Sequence, residues 1–166
     1  MTRCPRTGWT VTPMGPEEAH QIIAWRYPPP YDFYNMANTE DVLALLAELL
    51  DGSYYALKSN IDRLAAFACI GNSARVPGGP YPAVGLTIDL GLGLRPELTG
   101  QGLGRRFMGD LLDWVAVEHP TATSVRLTVA EFNSRAVHLY KEGGFRTVGR
   151  FSHGDTWFQV MERGIK

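Results

Sequence analysis

Apolar and polar positions along the chain follow two periods. Val84, Leu86, Ile88, Leu90, Leu92 and Leu94 alternate with Gly85, Thr87, Asp89, Gly91 and Gly93. A period of two is that of a strand, and an apolar face this regular predicts one at the centre of a sheet. Pro96 ends it, because proline has no N–H to give a ladder. Beyond the loop, Leu103, Phe107, Leu111 and Trp114/Val115 recur at helical spacing. That spacing predicts a helix from near Gly102 to about His119.

The flanking segments read in the same way. Trp9-Thr10-Val11-Thr12-Pro13 predicts a first strand. Gly15-Pro16-Glu17-Glu18 opens a helix, with proline suited to its first position and acids in its first turn. That helix stops before Tyr27-Pro28-Pro29-Pro30. Thr39-Glu40-Asp41 caps a second helix, with Val42, Leu43, Leu45, Leu46, Leu49 and Leu50 on its apolar side and Asp51-Gly52 at its end. Tyr54–Leu57 and Leu64–Ile70 read as a hairpin around Ser59–Asp62. Gly71 to Pro82, rich in glycine and proline, reads as a surface loop. Val125, Leu127 and Val129 mark another strand, and Asn133–Glu142 a short helix ended by Gly143-Gly144. Phe145–Phe151 and Asp155–Met161 look like a closing antiparallel pair. The order β-α-α-β-β-β-α-β-α-β-β is that of an α+β fold with a mixed sheet.

Composition narrows the class of protein. A length of 166 residues suits one domain, 1–166, with a sizeable core. A net charge of −1 argues against a nucleic-acid footprint, which is normally basic. Cys4 and Cys69 lie far apart in no metal or redox spacing, and such thin cysteine usage fits a reducing cytosol. The N-terminus lacks the apolar core of a signal peptide, and no run approaches the roughly 20 apolar residues of a membrane span. A cytoplasmic protein with no membrane partner and no metal is expected, since the four histidines show no ligand spacing.

The glycines after the central strand carry the chemistry. Gly100, Gly102 and Gly104 leave three positions bare where the helix begins. The first amides of a helix have no intrahelical partner and sit at the positive end of its dipole. Without Cβ atoms in the way, a phosphate can approach them closely. Arg105 and Arg106 add positive charge at the same end. A tight turn without a ligand is the plain alternative. Neither common nucleotide fingerprint is present, because no Gly-Lys-Ser/Thr follows and the spacing is G-x-G-x-G.

Leu92 to Gly104 resembles the coenzyme A signature of the GNAT N-acetyltransferases, R/Q-x-x-G-x-G/A. Gly102 and Gly104 match its small positions, and Thr99 stands where the family usually has Gln or Arg. Asn133 to Phe145 resembles a second family pattern, N-x-x-A-x-x-L-Y-x-x-x-G-F. The resemblance is sharp from about Leu86 to Phe145 and architectural elsewhere. It implies the acyl-CoA N-acyltransferase fold, α/β sandwich-like. Such a fold has a mixed, mostly antiparallel sheet of about seven strands flanked by about four helices.

The resemblance also implies roles. Acetyl-CoA would be the co-substrate, its diphosphate held along Thr99, Gly100, Gln101, Gly102, Leu103, Gly104 and Arg105. Leu92, Gly93 and Leu94 would follow the pantetheine arm, with the Leu92 N–H facing the thioester carbonyl to stabilise an oxyanion. Gly91 and Gly93 fit a strand that departs from its neighbour and lets the arm lie close, a ligand-free bulge being the alternative. Tyr140 matches the family's proton donor to the departing thiolate, a buried core tyrosine being the alternative. Asn133 caps its helix and, by resemblance, reaches the coenzyme, while Arg135 reads as solvated or near phosphate.

For the base, Asp89 is the first candidate, a lone carboxylate in an apolar strand. Its alternative is structural, bonding loop amides or an arginine. Glu131 is the second candidate, and a water chain the third. Family members that acetylate protein N-termini carry a glutamate where this chain has Thr128. The aromatic and proline-rich segment from Trp25 to Tyr34 reads as a packed cover or as an acceptor wall, with Trp25, Tyr27, Tyr31 and Tyr34 touching the substrate. The expected activity is direct acetyl transfer to a primary amine of a small molecule or of a peptide or protein terminus. The expected assembly is a monomer or homodimer, and a non-catalytic acyl-CoA-binding module is the alternative reading.

Overall fold

A computed structural model describes residues 1–83 and 85–165. Two short strands, β1 (Thr2–Arg3) and β2 (Thr10–Pro13), precede helices α1 (Pro16–Ala24) and α2 (Val42–Leu49). Three longer strands follow: β3 (Tyr54–Lys58), β4 (Leu64–Ile70) and β5 (Thr87–Leu94). Helix α3 (Gly104–Glu118), strand β6 (Ser124–Ala130) and helix α4 (Ser134–Glu142) come next, then β7 (Arg146–His153) and β8 (Thr156–Gly164). The predicted order holds, with eight strands where about seven were expected. The additional one is β1, whose two residues, Thr2 and Arg3, are too few to show a period.

The caps sit where the local chemistry places them. Asp41 accepts from the Ala44 N–H at the start of α2, and Asn133 from the Ala136 N–H at the start of α4. Two predicted boundaries move next to the glycine loop and the central strand. Helix α3 begins at Gly104, because Gly100 and Gly102 adopt left-handed backbone that no helix contains. Strand β5 begins at Thr87, so Gly85 and Leu86 lie outside it, and Val84 lies outside the described residues.

All strands form one sheet in the order β1-β2-β3-β4-β5-β6-β8-β7. Among the described residues, only β5 and β6 run parallel. The larger core lies on the α3 and α4 face, where Leu90, Val125 and Leu127 meet Phe107, Leu111 and Trp114. The opposite face packs Ala19, Ile22 and Leu49 of α1 and α2 against Tyr54, Ala56 and Cys69.

The feature that positions the site is a fork. Strand β5 pairs with β6 only at Thr87, Ile88 and Asp89. It stays on β4 as far as Leu94, and β6 stays on β8 as far as Ala130. From Leu90 onward the two parallel strands diverge. Gly91 and Gly93 have a different cause from the one expected. A Cβ on Gly91 would stand 2.6 Å from the Cys69 sulfur, and one on Gly93 would strike the Phe67 ring. These side chains belong to the direct cross-strand partners on β4. The glycines make room for β4, while the divergence comes from the loss of the β6 ladder.

Candidate active site

The Arg95 N–H bonds the Ala65 carbonyl of β4 at 2.8 Å. Backbone groups alternate sides along a strand, so those of Gly93 and Gly91 also face β4, and those of Leu94, Leu92 and Leu90 face the fork. The Tyr27 hydroxyl fits this pattern, donating to the Leu94 carbonyl from the fork side at 2.6 Å. The Leu92 N–H and C=O therefore lie on an edge with no ladder partner, where an amide-bearing arm can pair as an added strand does.

The loop after β5 opens with a turn at Pro96–Leu98. Thr99 donates its hydroxyl to the Pro96 carbonyl at 2.7 Å, and the Gln101 amide donates to the Glu97 carbonyl at 2.6 Å. Both side chains thus fold back on the turn and leave the loop's backbone uncovered. Gly100 at φ 72° and Gly102 at φ 75° reverse the chain, and the next residues enter α3 without a side-chain cap. A Cβ on Gly102 would meet nothing within 4 Å, whereas one on Gly104 would stand 2.9 Å from Leu139. Gly104 is therefore bare to let α4 approach, and Gly102 for its backbone conformation. The outcome is a positive helix end with open amides, suited to a diphosphate.

Fork and loop open on one cavity of 520 Å³. Its walls come from both faces of the sheet: Phe107, Ala136 and Leu139 on one side, Ile22, Met36 and Phe67 on the other. The passage therefore runs through the sheet between β5 and β6. Leu92, Gly93, Leu94, Thr99, Gly100, Gly104, Asn133 and Tyr140 line it, and so do Trp25, Tyr27, Tyr31 and Tyr34. Gln101, Gly102, Leu103 and Arg105 do not. The Arg105 side chain is mostly exposed and pairs with Glu142 of α4 at 3.0 Å.

Tyr140 is 8 % exposed. Burial, with Tyr34 nearby, pushes its phenol above the ordinary tyrosine value. The group is consequently a neutral donor at every working pH. Asn133 uses its carbonyl as the α4 cap, and its amide donates to the Tyr34 hydroxyl at 3.2 Å. This contact ties the aromatic segment to α4. Phe33 and Tyr34 also pack on Phe132, so the segment is a packed cover that also lines the cavity.

Neither candidate base lines the cavity. Asp89 is 4 % exposed and both its oxygens are taken. Arg126 donates Nε to Oδ1 at 2.6 Å and Nη2 to Oδ2 at 3.0 Å, and Arg75 donates Nε to Oδ2 at 2.7 Å. The geometry favours the structural alternative for Asp89, because both oxygens are taken by guanidinium donors and the residue lies outside the cavity lining. Asp89 and Arg126 are also the last paired residues before the strands part. Glu131 is held by Arg150, with a second contact at 3.1 Å. Among the described residues, the one carboxylate lining the cavity is Glu142, already paired with Arg105 and 3.5 Å from His138.

Arg135 is exposed, as the solvated reading expects, and it also lies near the glycine loop. Its guanidinium sits 4.6 Å from the centre of the Tyr31 ring, and a Cβ on Gly100 would be 3.7 Å from its Nη1. Helix α4 brings it over the glycine loop, where an anion would meet it. Its position one residue into a capped helix was the only signal in the sequence.

Comparison with known proteins agrees with this fold. Solved structures share the fold over nearly the whole chain. A chimera of spermidine N-acetyltransferase SpeG from Vibrio cholerae and hSSAT gives a TM-score of 0.72 at 18% identity, covering 95% of each chain. AAC(6')-Ib, solved with ribostamycin and coenzyme A, gives 0.71 at 14% identity, covering 94% of this chain and 93% of that one. An aminoglycoside N(6')acetyltransferase from Legionella pneumophila gives 0.70 at 17% identity, covering 99% and 94%. An uncharacterized protein of Mycobacterium leprae (strain TN), ML0378, is 26% identical over 141 residues. That match takes in 84% of this chain and 34% of the relative, so the chain spans about a third of that protein's length. The sequence model of the Acetyltransferase (GNAT) family matches residues 17–145, and the chain belongs to that family.

Proposed function

We propose that the protein transfers the acetyl group of acetyl-CoA to a primary amine in a ternary complex. The observation that carries this reading is the fork, an unpaired β5 edge leading from an uncovered amide turn into a cavity that crosses the sheet. The Gly100–Gly104 backbone and Arg135 would hold the diphosphate, and the Leu92 and Leu94 backbone the pantetheine arm. When bound, acetyl-CoA supplies the activated acyl group. The Leu92 N–H sits on the open edge, where it can bond a carbonyl oxygen. Tyr140 holds a proton on its phenol oxygen for a departing thiolate. With Asp89 and Glu131 both bound to arginine, the acceptor's proton leaves to water.

The acceptor follows from the other end of the cavity. Trp25, Tyr27, Tyr31, Tyr34, Met36 and Phe67 line it, and no carboxylate lies among them. Polycations such as spermidine or aminoglycosides, substrates named for the structural neighbours, need anionic partners that this wall does not offer. The wall suits a single amine carried on an apolar or aromatic body, of a small molecule or a peptide terminus. Buried free thiols at Cys4 and Cys69 are in keeping with a reducing, cytoplasmic setting.

An amine panel with thiol-release detection tests the proposal. Aromatic monoamines and short peptides with apolar N-termini should turn over faster than polyamines and aminoglycosides. If acetyl-CoA raises the melting temperature but no amine releases thiol, the protein binds the coenzyme without catalysis. If polyamines lead the panel, the acceptor class is wrong.

A further inference from the structure

A second cavity of 360 Å³ lies behind the coenzyme loop and shares no lining residue with the first. Arg6 reaches it from the β1–β2 loop and Arg63 from the β3–β4 hairpin. Arg95, at the end of β5, and Arg106, in the first turn of α3, complete the ring. Four arginines therefore line one space in a chain of net charge −1, with no carboxylate in its lining, and Arg6, Arg63 and Arg106 are exposed.

Acidic residues nearby do not neutralise this cluster. Arg6 lies 3.5 Å from Asp113, a long and half-exposed contact. Arg95 Nε lies 3.5 Å from Glu97, itself 70% exposed, and makes no hydrogen bond there. Among the described residues, this Nε is the one buried side-chain polar atom without a hydrogen-bond partner. Arg63 and Arg106 form no ion pair among the described residues.

The protein's own contacts hold the walls in place. Buried Asp110 of α3 accepts the Arg6 N–H at 2.9 Å and the Thr7 N–H at 3.0 Å, so the loop bearing Arg6 is pinned. The hairpin turn is closed by the Ser59 N–H on the Arg63 carbonyl at 2.8 Å. Arg95 is fixed by its Nη1 bond to the Leu64 carbonyl at 2.9 Å. Arginines supplied by four elements, beside apolar Trp9, Leu98 and Leu103, match a multiply charged oxyanion on a small organic body.

We propose that this cavity binds a phosphorylated small molecule, and that its occupancy tightens the coenzyme loop. Arg95 and Arg106 bracket the loop that carries Gly100 and Gly102. An anion bridging them to Arg6 and Arg63 fixes both ends of that loop against the sheet and lowers the cost of ordering it. The coupling rests on the acetyl-CoA site proposed above, whereas the anion site itself does not.

Inorganic pyrophosphate is the probe, titrated calorimetrically into the protein with and without saturating acetyl-CoA. With acetyl-CoA present, one saturable site is expected, and pyrophosphate tightens acetyl-CoA about twofold or more, with the reciprocal effect equal. Arg63→Glu, on the hairpin and away from the first cavity, weakens pyrophosphate about tenfold or more. Arg106→Gln does the same if Arg63→Glu fails to fold. Absence of saturable binding with acetyl-CoA bound overturns the proposal, as does binding indifferent to both variants. Mutual exclusion of the two ligands also overturns it, because the anion then sits in the coenzyme's own site. A further arm compares acetyl-CoA with its 3'-dephospho form. If Arg63→Glu weakens only the former, the arginines serve the coenzyme's 3'-phosphate and the separate site falls. If acetyl-CoA does not bind at all but pyrophosphate binds and depends on Arg63, the proposed function fails and the anion site stands.

Discussion

Asp89→Ala separates the two roles a buried carboxylate in β5 can have. In the folded protein Asp89 and Arg126 are 4% and 3% exposed. Their two hydrogen bonds of 2.6 and 3.0 Å form a parallel fork, and Arg75 adds a third at 2.7 Å. Removing the carboxylate leaves the Arg126 guanidinium buried, with the Pro82 carbonyl at 3.0 Å, the Tyr81 ring and the charge of its cross-strand neighbour Glu162 as remaining partners. Stranding one member of a buried pair costs about 3–5 kcal/mol. Arg75, 37% exposed on its side chain, can turn to solvent and adds little. Set against a typical total stability of about 5–15 kcal/mol, the loss is severe. At about 2–4 °C per kcal/mol for a chain of this size, the melting temperature should fall by roughly 6–20 °C. Asp89→Leu with Arg126→Met removes both charges and should recover most of that loss. Urea unfolding of the three proteins measures the stabilities, and thiol release by the folded fraction measures activity. An Asp89→Ala protein of wild-type stability whose kcat falls about 100-fold, with the acid limb of its pH profile gone, would make Asp89 the base and refute the structural assignment.

Tyr140→Phe should lower kcat by about 10²-fold or more with acetyl-CoA affinity nearly unchanged. Burial raises the phenol, so an alkaline limb in the wild-type kcat profile should not come from Tyr140, and Tyr140→Phe should leave any such limb in place. Gly93→Ala should cost about 1–3 kcal/mol by driving a methyl group into the Phe67 ring, and Phe67→Leu should relieve part of it in a double-mutant cycle. Glu18 is held below the ordinary carboxylate range, mainly by its hydrogen bond to Lys58 at 2.5 Å. Its contribution is complete above about pH 5 and fades as the pH falls through the lowered value. The stability gap between wild type and Glu18→Gln should narrow accordingly on acidification, and a gap that widens in acid would exclude the ion pair as its source.

Much of the site was legible because its signals are local. The glycine turn, the Asn133 cap and the place of Tyr140 each depend on residues within one or two turns of chain. The aromatic segment was read correctly as more than a linker, since its rings pack on Phe132 and line the cavity. For Asp89 the sequence left base and structural anchor both open, because its partners stand 14 and 37 residues away, beyond any periodic window. That Gly91 and Gly93 also make room for β4 was not legible, because the bulk opposite them sits on β4, in a register that only pairing reveals.

By itself, the order of apolar and polar residues determined the elements, their sequence along the chain and the bare amide turn at the head of α3. Those follow from backbone periods and from the φ values that glycine alone tolerates cheaply. Tertiary structure decided which strands meet. Strand β8 lies between β6 and β7, and the β5–β6 ladder stops at Asp89 and Arg126. It also drew Arg6, Arg63, Arg95 and Arg106 around one cavity. The physical reason is that packing balances the whole core at once, and no stretch of chain encodes which distant surface it will cover.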